Sequence, residues 1–137
     1  LEIVDGDFSM QFLLGIHAFI ALLILLVGFV LIVKFAIGTA RQSPIGRLDR
    51  MLAAIYTGLL DLQALLGIVL FLLRLDDGLA SPVALHAAVA LAGVVVAHLN
   101  ARWRNQPDAV RFRNGLLTLG GSYILILAGV YFVNSFA

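Results

Sequence analysis

Between Leu13 and Val33 the chain runs for 21 residues with His17 as its one polar side chain. An α-helix needs about 20 such residues to cross a hydrocarbon core of ~30 Å at ~1.5 Å per residue. Unpaired backbone amides are not tolerated in lipid, so an apolar run of this length reads as a membrane-spanning helix. It is also too long for the apolar region of a signal peptide. The composition agrees, since 62% of the 137 residues are hydrophobic and 12% charged, against roughly half and a quarter in a soluble domain.

Three further spans follow. Met51 to Leu73 is long enough but carries Asp61 and Gln63 inside it, Val83 to Leu99 is apolar apart from two histidines, and Gly115 to Val133 closes the chain. Turn chemistry separates them: Ser43-Pro44-Ile45-Gly46 after span one, Asp76-Asp77-Gly78 after span two, and Pro107-Asp108 after span three. Ser81 and Pro82 fit an N-cap and a first helical residue. The expectation is one all-α transmembrane domain over 1–137, an up-down-up-down four-helix bundle with spans near 11–37, 50–73, 83–100 and 115–133.

Basic residues gather on the cytoplasmic side of short loops. Lys34, Arg41, Arg47 and Arg50 flank the first connection and Arg102, Arg104, Arg111 and Arg113 the third, leaving only Arg74 elsewhere. Both termini are therefore expected on the non-cytoplasmic side of a bacterial inner membrane or its equivalent. Trp103, Tyr131 and Phe132 stand near span ends, as interfacial aromatics do. A net charge of +1 gives no nucleic-acid footprint. Absence of cysteine excludes disulfides, thiolate metal sites and covalent c-type haem.

Ionisable residues inside spans are rare and mark candidate sites. They are His17, Asp61, His86 and, near the inner boundary, His98. His17 and His86 fall at similar depth on spans one and three, which are parallel and diagonal in an up-down bundle. Both imidazoles can then project toward the bundle axis from opposite sides, which is what two axial ligands of one haem iron require. Ala90 and Gly93, below His86, form a small-residue stripe that would leave room for a cofactor and equally suits plain helix packing. Arg74 could meet haem propionates or anchor at the interface. For each histidine taken alone, a hydrogen bond between helices is the competing role.

His98 lies 12 residues beyond His86, a drop of ~18 Å and a rotation of ~120°, so it does not share that site. It reads as an interfacial residue or as a proton or quinone contact. Asp61, deep in span two, reads as helix glue toward Thr118, Ser122 or Tyr123 on span four, or as a proton-transfer group. No nucleophile–base constellation is visible, so no enzyme activity is expected.

Two histidines on the first and third helices, together with Leu62-Gln63-Ala64-Leu65-Leu66-Gly67 on the second, resemble one half of a haem A synthase and, more loosely, the small four-helix b-type cytochromes. The resemblance implies a four-helix fold, haem ligation by His17 and His86, and a place in a redox pathway. It departs where that family's acid stands three residues before a ligand histidine, positions held here by Leu14 and Val83. The family's cysteine pair and second bundle have no counterpart in this sequence. What the resemblance implies is thus haem binding without synthase activity.

The leading expectation is a b-haem-binding electron-transfer subunit near the outer leaflet, with other membrane subunits of a redox complex and a quinone as neighbours. A cofactor-free or pigment-contacting accessory subunit of a respiratory or photosynthetic complex is the alternative. A small proton-coupled transporter using Asp61 is a third, disfavoured by the lack of other mid-span acids and of Pro-interrupted helices.

Overall fold

The computed structural model describes the backbone of residues 2–75 and 81–135 and the side chains of 8–75 and 82–134. These form four α-helices: α1 (Glu2–Arg41), α2 (Arg47–Leu73), α3 (Ser81–His98) and α4 (Asp108–Ser135). A 3₁₀ turn, Leu99–Trp103, continues α3 toward α4. The expected turn at Asp76-Asp77-Gly78 lies outside the described residues. All four helices are long and apolar enough to cross a membrane.

At 40 residues, α1 would measure ~60 Å, about twice a hydrocarbon core. It continues through residues 2–12, which the sequence places mostly before the span. Its C-terminus is fixed by Gln42, whose φ of 50° lets the Ser43 amide donate to the Gly38 carbonyl at 3.1 Å. This is the 6→1 bond of a Schellman stop, made here with glutamine in the left-handed position that glycine usually takes. Pro44 follows and bars continuation. α2 then starts at an N-cap without a side chain, Gly46, whose amide donates instead to Asp49 Oδ2 at 2.8 Å. The other oxygen, Oδ1, has no hydrogen bond of good angle but lies 3.0 Å from Lys34 Nζ. One buried carboxylate thus ties the start of α2 to α1.

Helix directions follow from which residues meet. Along α1, His17, Gly28 and Lys34 lie against Gly67, Tyr56 and Asp49 of α2, so the two are antiparallel. Gly28 and Gly38 lie against Tyr123 and Phe112 of α4, again antiparallel. Ala90 and Gly93 of α3 approach Gly129 and Ile126 of α4 in the same opposed sense. The result is an up-down-up-down bundle with α1 diagonal to α3 and α2 diagonal to α4. Of the four adjacent pairs, α2 and α3 meet most sparsely.

The interior is narrow. Ile20, Ile24, Leu31, Tyr56, Leu60, Phe112 and Leu119 fill it, and Phe35 meets Phe112 edge to face with ring centres 5.2 Å apart. Glycines set the spacing: Gly28 faces the Tyr56 and Tyr123 rings, Gly38 faces Phe112, and Gly115 faces Phe35. The stripe of Ala90, Gly93 and Ala97 faces inward, with Ala90 and Gly93 against α4. A Cβ added at Gly93 would sit 3.3 Å from the Ser122 carbonyl oxygen, so the stripe serves the close approach of these two helices. The exterior, in contrast, is apolar on every side: Phe29 (62%), Leu65 (61%), Leu117 (68%) and Ile124 (66%) are exposed on α1, α2 and α4, and Val95 (63%) on α3. An apolar surface of that extent calls for lipid or protein against it.

Candidate functional site

His17 and His86 come together. Their rings cross the bundle diagonal from α1 and α3 and meet edge to face, with centres 6.3 Å apart and planes at 72°. Each imidazole faces a glycine on the neighbouring antiparallel helix. A Cβ added at Gly67 of α2 would lie 3.3 Å from His17 Cε1, and one at Gly129 of α4 would lie 3.5 Å from His86 Nδ1. The first contact is tight by a few tenths of an ångström and the second is ordinary van der Waals contact. Both imidazoles are half-buried and sit at one level of the bundle.

The hydrogen bonds of the two rings differ. His86 Nδ1 lies 2.8 Å from the Gly129 carbonyl oxygen. Since a carbonyl only accepts, Nδ1 carries the proton and Nε2 keeps its lone pair when the ring is neutral. That is the arrangement found behind metal-bound histidines, where a backbone carbonyl fixes the tautomer and the ring orientation. His17 Nδ1, by comparison, is buried with no partner among the described residues. Gln63, from α2, donates through Nε2 to the His17 carbonyl at 3.0 Å, while its own Oε1 is buried and unpaired. An orphaned buried polar atom costs about 1–3 kcal/mol, and here two of them stand at the same histidine.

The chemistry open to such a pair is narrow. Imidazole nitrogens ligate a metal ion at about 2.0–2.1 Å, and ring centres 6.3 Å apart leave space for one ion between His17 and His86. No third His, Cys, Asp or Glu joins the pair among the described residues, so it falls short of the four protein donors of a closed zinc site. Two opposed imidazoles suffice where a porphyrin supplies the equatorial nitrogens.

Arg74 ends α2, where its amide donates to the Phe71 carbonyl at 3.2 Å. It stands seven residues beyond Gly67, or about 10 Å toward the same end of the bundle as the histidines. Its half-buried side chain makes no hydrogen bond or ion pair to a described residue.

Asp61 is placed differently from what the sequence suggested. The three partners expected for Asp61 on α4 are engaged elsewhere: Ser122 with Tyr56 at 3.2 Å, Tyr123 with the Leu25 carbonyl at 3.1 Å, and Thr118 with the Asn114 carbonyl at 2.9 Å. Glue between α2 and α4 does exist, but it is the buried Tyr56–Ser122 pair. Asp61 instead turns to α3 and meets His98 Nε2 at 3.3 Å, with both side chains about half exposed. The other nitrogen of His98 faces the Val94 carbonyl at 3.0 Å. Both ring nitrogens thus face oxygen atoms. The pair closes the sparse α2–α3 seam and lies well away from the two opposed histidines, as the 12-residue spacing predicted.

Sequence reasoning singled out His17 and His86 but missed the roles of Gly129 and Gln63. Gln63 was visible as a polar residue inside span two and in the Leu-Gln-to-Gly stretch, but not as a partner of His17, and nothing in the sequence ties Gly129, 43 residues away, to His86. Comparison of the chain with protein-family models, with curated proteins and with solved structures finds no match to any of them.

Proposed function

We propose that this chain is an integral membrane protein that binds a b-type haem between His17 and His86 and relays electrons within a larger membrane redox complex. The observation that carries this reading is the convergence of two imidazoles from diagonal helices, each seated against a glycine, with His86 Nε2 left free by the Gly129 carbonyl and His17 Nδ1 left without a partner. When bound, the haem supplies a reversible one-electron couple. The chain's own residues orient the ligands: Gly129 fixes the tautomer of His86, and Gln63 tethers the backbone of α1 at His17. Arg74 is the cation at that end of the bundle available to propionates.

Four apolar helices and eight basic residues at the opposite end of the bundle support insertion with both termini outside, which puts the histidines toward the outer leaflet. A quinone or an external redox protein is then the natural electron partner. The bond from His86 to Gly129 also suits a second reading, an accessory subunit whose histidines only join helices.

A reduced-minus-oxidised visible spectrum of the purified protein separates the two. Haem ligation gives a b-type α band that is lost in both His17→Ala and His86→Ala. A colourless wild type sinks the haem proposal and leaves the accessory role. A band that survives in either variant refutes paired ligation.

A further inference from the structure

At the end of the bundle opposite the histidines, a partly open cavity of about 390 Å³ lies between the start of α2, the end of α3 and the start of α4. That is within the size of small-ligand pockets, roughly 300–1,000 Å³. Its lining is largely apolar, with Phe35, Ala53, Ala54 and Ala97 beside the polar Thr57, His98 and Asn100, and it includes Arg50, Arg104 and Arg111. The one acid among its lining residues, Asp49, is already held by Lys34 and by the Gly46 amide.

The three guanidinium groups are poorly occupied. Arg50 donates to the Ile45 carbonyl at 3.3 Å, and Arg111 reaches Asp108 at 3.5 Å, the limit of a hydrogen bond. Arg104 has no side-chain partner among the described residues. Trp103 lines the same cavity, and its indole N–H, which can only donate, is buried without an acceptor. The site therefore gathers unused donors and cations over an apolar floor, and what it lacks is an anion with several acceptor oxygens and a hydrocarbon body.

We propose that this cavity binds the phosphodiester headgroup of an anionic membrane phospholipid, with its acyl chains lying against the exposed apolar faces of α2 and α3 that carry Ile55 and Val95. Arg50 and Arg104 hold the phosphate oxygens, Trp103 donates to the headgroup, and the alanines of α2 and α3 accept the chain where bulkier residues would fill the groove. Basic pockets between helices at a cytoplasmic leaflet are suited to such headgroups, because the anion is drawn there by its own surface and desolvated beside fixed cations. The proposal rests on the membrane reading above and is independent of the haem.

The test uses the full chain, purified in detergent, stripped of lipid and examined by native mass spectrometry with phosphatidylglycerol or phosphatidylcholine of identical acyl chains. The expected result is retention of phosphatidylglycerol about tenfold or more over phosphatidylcholine, falling about fivefold for each of Arg50→Gln and Arg104→Gln. Trp103→Phe, which keeps the ring and removes the donor, weakens retention by a smaller factor. Equal retention of the two lipids overturns the proposal, as does a preference unchanged in the Arg50→Gln/Arg104→Gln variant. Displacement by equimolar inorganic phosphate also overturns it, since the site would then take a free anion. Alkaline carbonate extraction of the unmodified membranes reports separately on whether the chain is integral, so failure of the lipid site and failure of membrane insertion are distinguishable.

Discussion

Gly28 is the position at which the packing makes its most demanding prediction. A Cβ built there would lie 2.6 Å from Tyr123 Cδ2 and 2.8 Å from Tyr56 Cε2. Neither ring is free to retreat: Tyr56 is fully buried and bonded to Ser122, and Tyr123 donates to the Leu25 carbonyl of α1 itself. Gly28→Ala therefore forces α1 away from both neighbours. Overpacking of this kind costs about 1–3 kcal/mol, and loss of one tyrosine hydrogen bond adds about 1 kcal/mol. The better helix propensity of alanine returns roughly 0.5–1 kcal/mol.

The net destabilisation is about 2 kcal/mol, and a chain of this length loses about 3–5 °C of midpoint per kcal/mol. Thermal unfolding in detergent, followed by far-UV circular dichroism at one scan rate, should show a fall of about 6–10 °C. Gly58→Ala and Gly120→Ala are the matched controls, since a Cβ at either position meets nothing within 4 Å. With only the propensity term acting, both should melt at or slightly above wild type. Should Gly28→Ala melt within about 1 °C of these controls, the proposed packing of α1 between Tyr56 and Tyr123 is wrong.

The remaining predictions concern helix ends and the second polar pair. Asp49→Ala removes both the cap on Gly46 and the link to Lys34, and should cost about 1–2 kcal/mol by chemical denaturation; Lys34→Met should cost less, because the cap on α2 survives it. At Gln42, Gln42→Gly should be neutral or slightly stabilising whereas Gln42→Val should lose about 1 kcal/mol or more, since a β-branched residue is poorly tolerated at positive φ. For Asp61 and His98, a double-mutant cycle with Asp61→Asn and His98→Gln in detergent should give a coupling of about 1 kcal/mol or less, as half-exposed pairs do; a coupling several times larger would mean the pair is shielded by something not part of this chain.

Helix number was legible without coordinates, because a run such as Leu13 to Val33 has no other stable form in lipid and because Pro44, Gly46 and Pro107 break the chain between runs; helix length was not, since α1 and α4 begin well before the expected spans. The alternating loop charge carried the expected helix directions, and the side-chain meetings along α1, α2 and α4 agree with them. Polar partnership was not legible. Asp61 could be assigned a depth but not a bearing, since that depends on how far α2 is rotated about its axis. The structure turns it toward α3 and gives Ser122 to Tyr56. The same rotation explains why Ala90 and Gly93 lie against α4: small residues recur on a helix face for any close neighbour, and periodicity does not name which.

What the sequence determined by itself is the number of long apolar helices and the presence of two histidines at one level on helices that run the same way. Both depend on hydropathy and spacing along a single helix, which are local. Only the tertiary structure decided that the two imidazoles meet at 6.3 Å, that Gly67 and Gly129 are the residues they lie against, and that Gly129 also supplies the carbonyl orienting His86. Those are relations between helices, set by packing rotation and register across 43 to 69 positions of chain, and no spacing within one span encodes them.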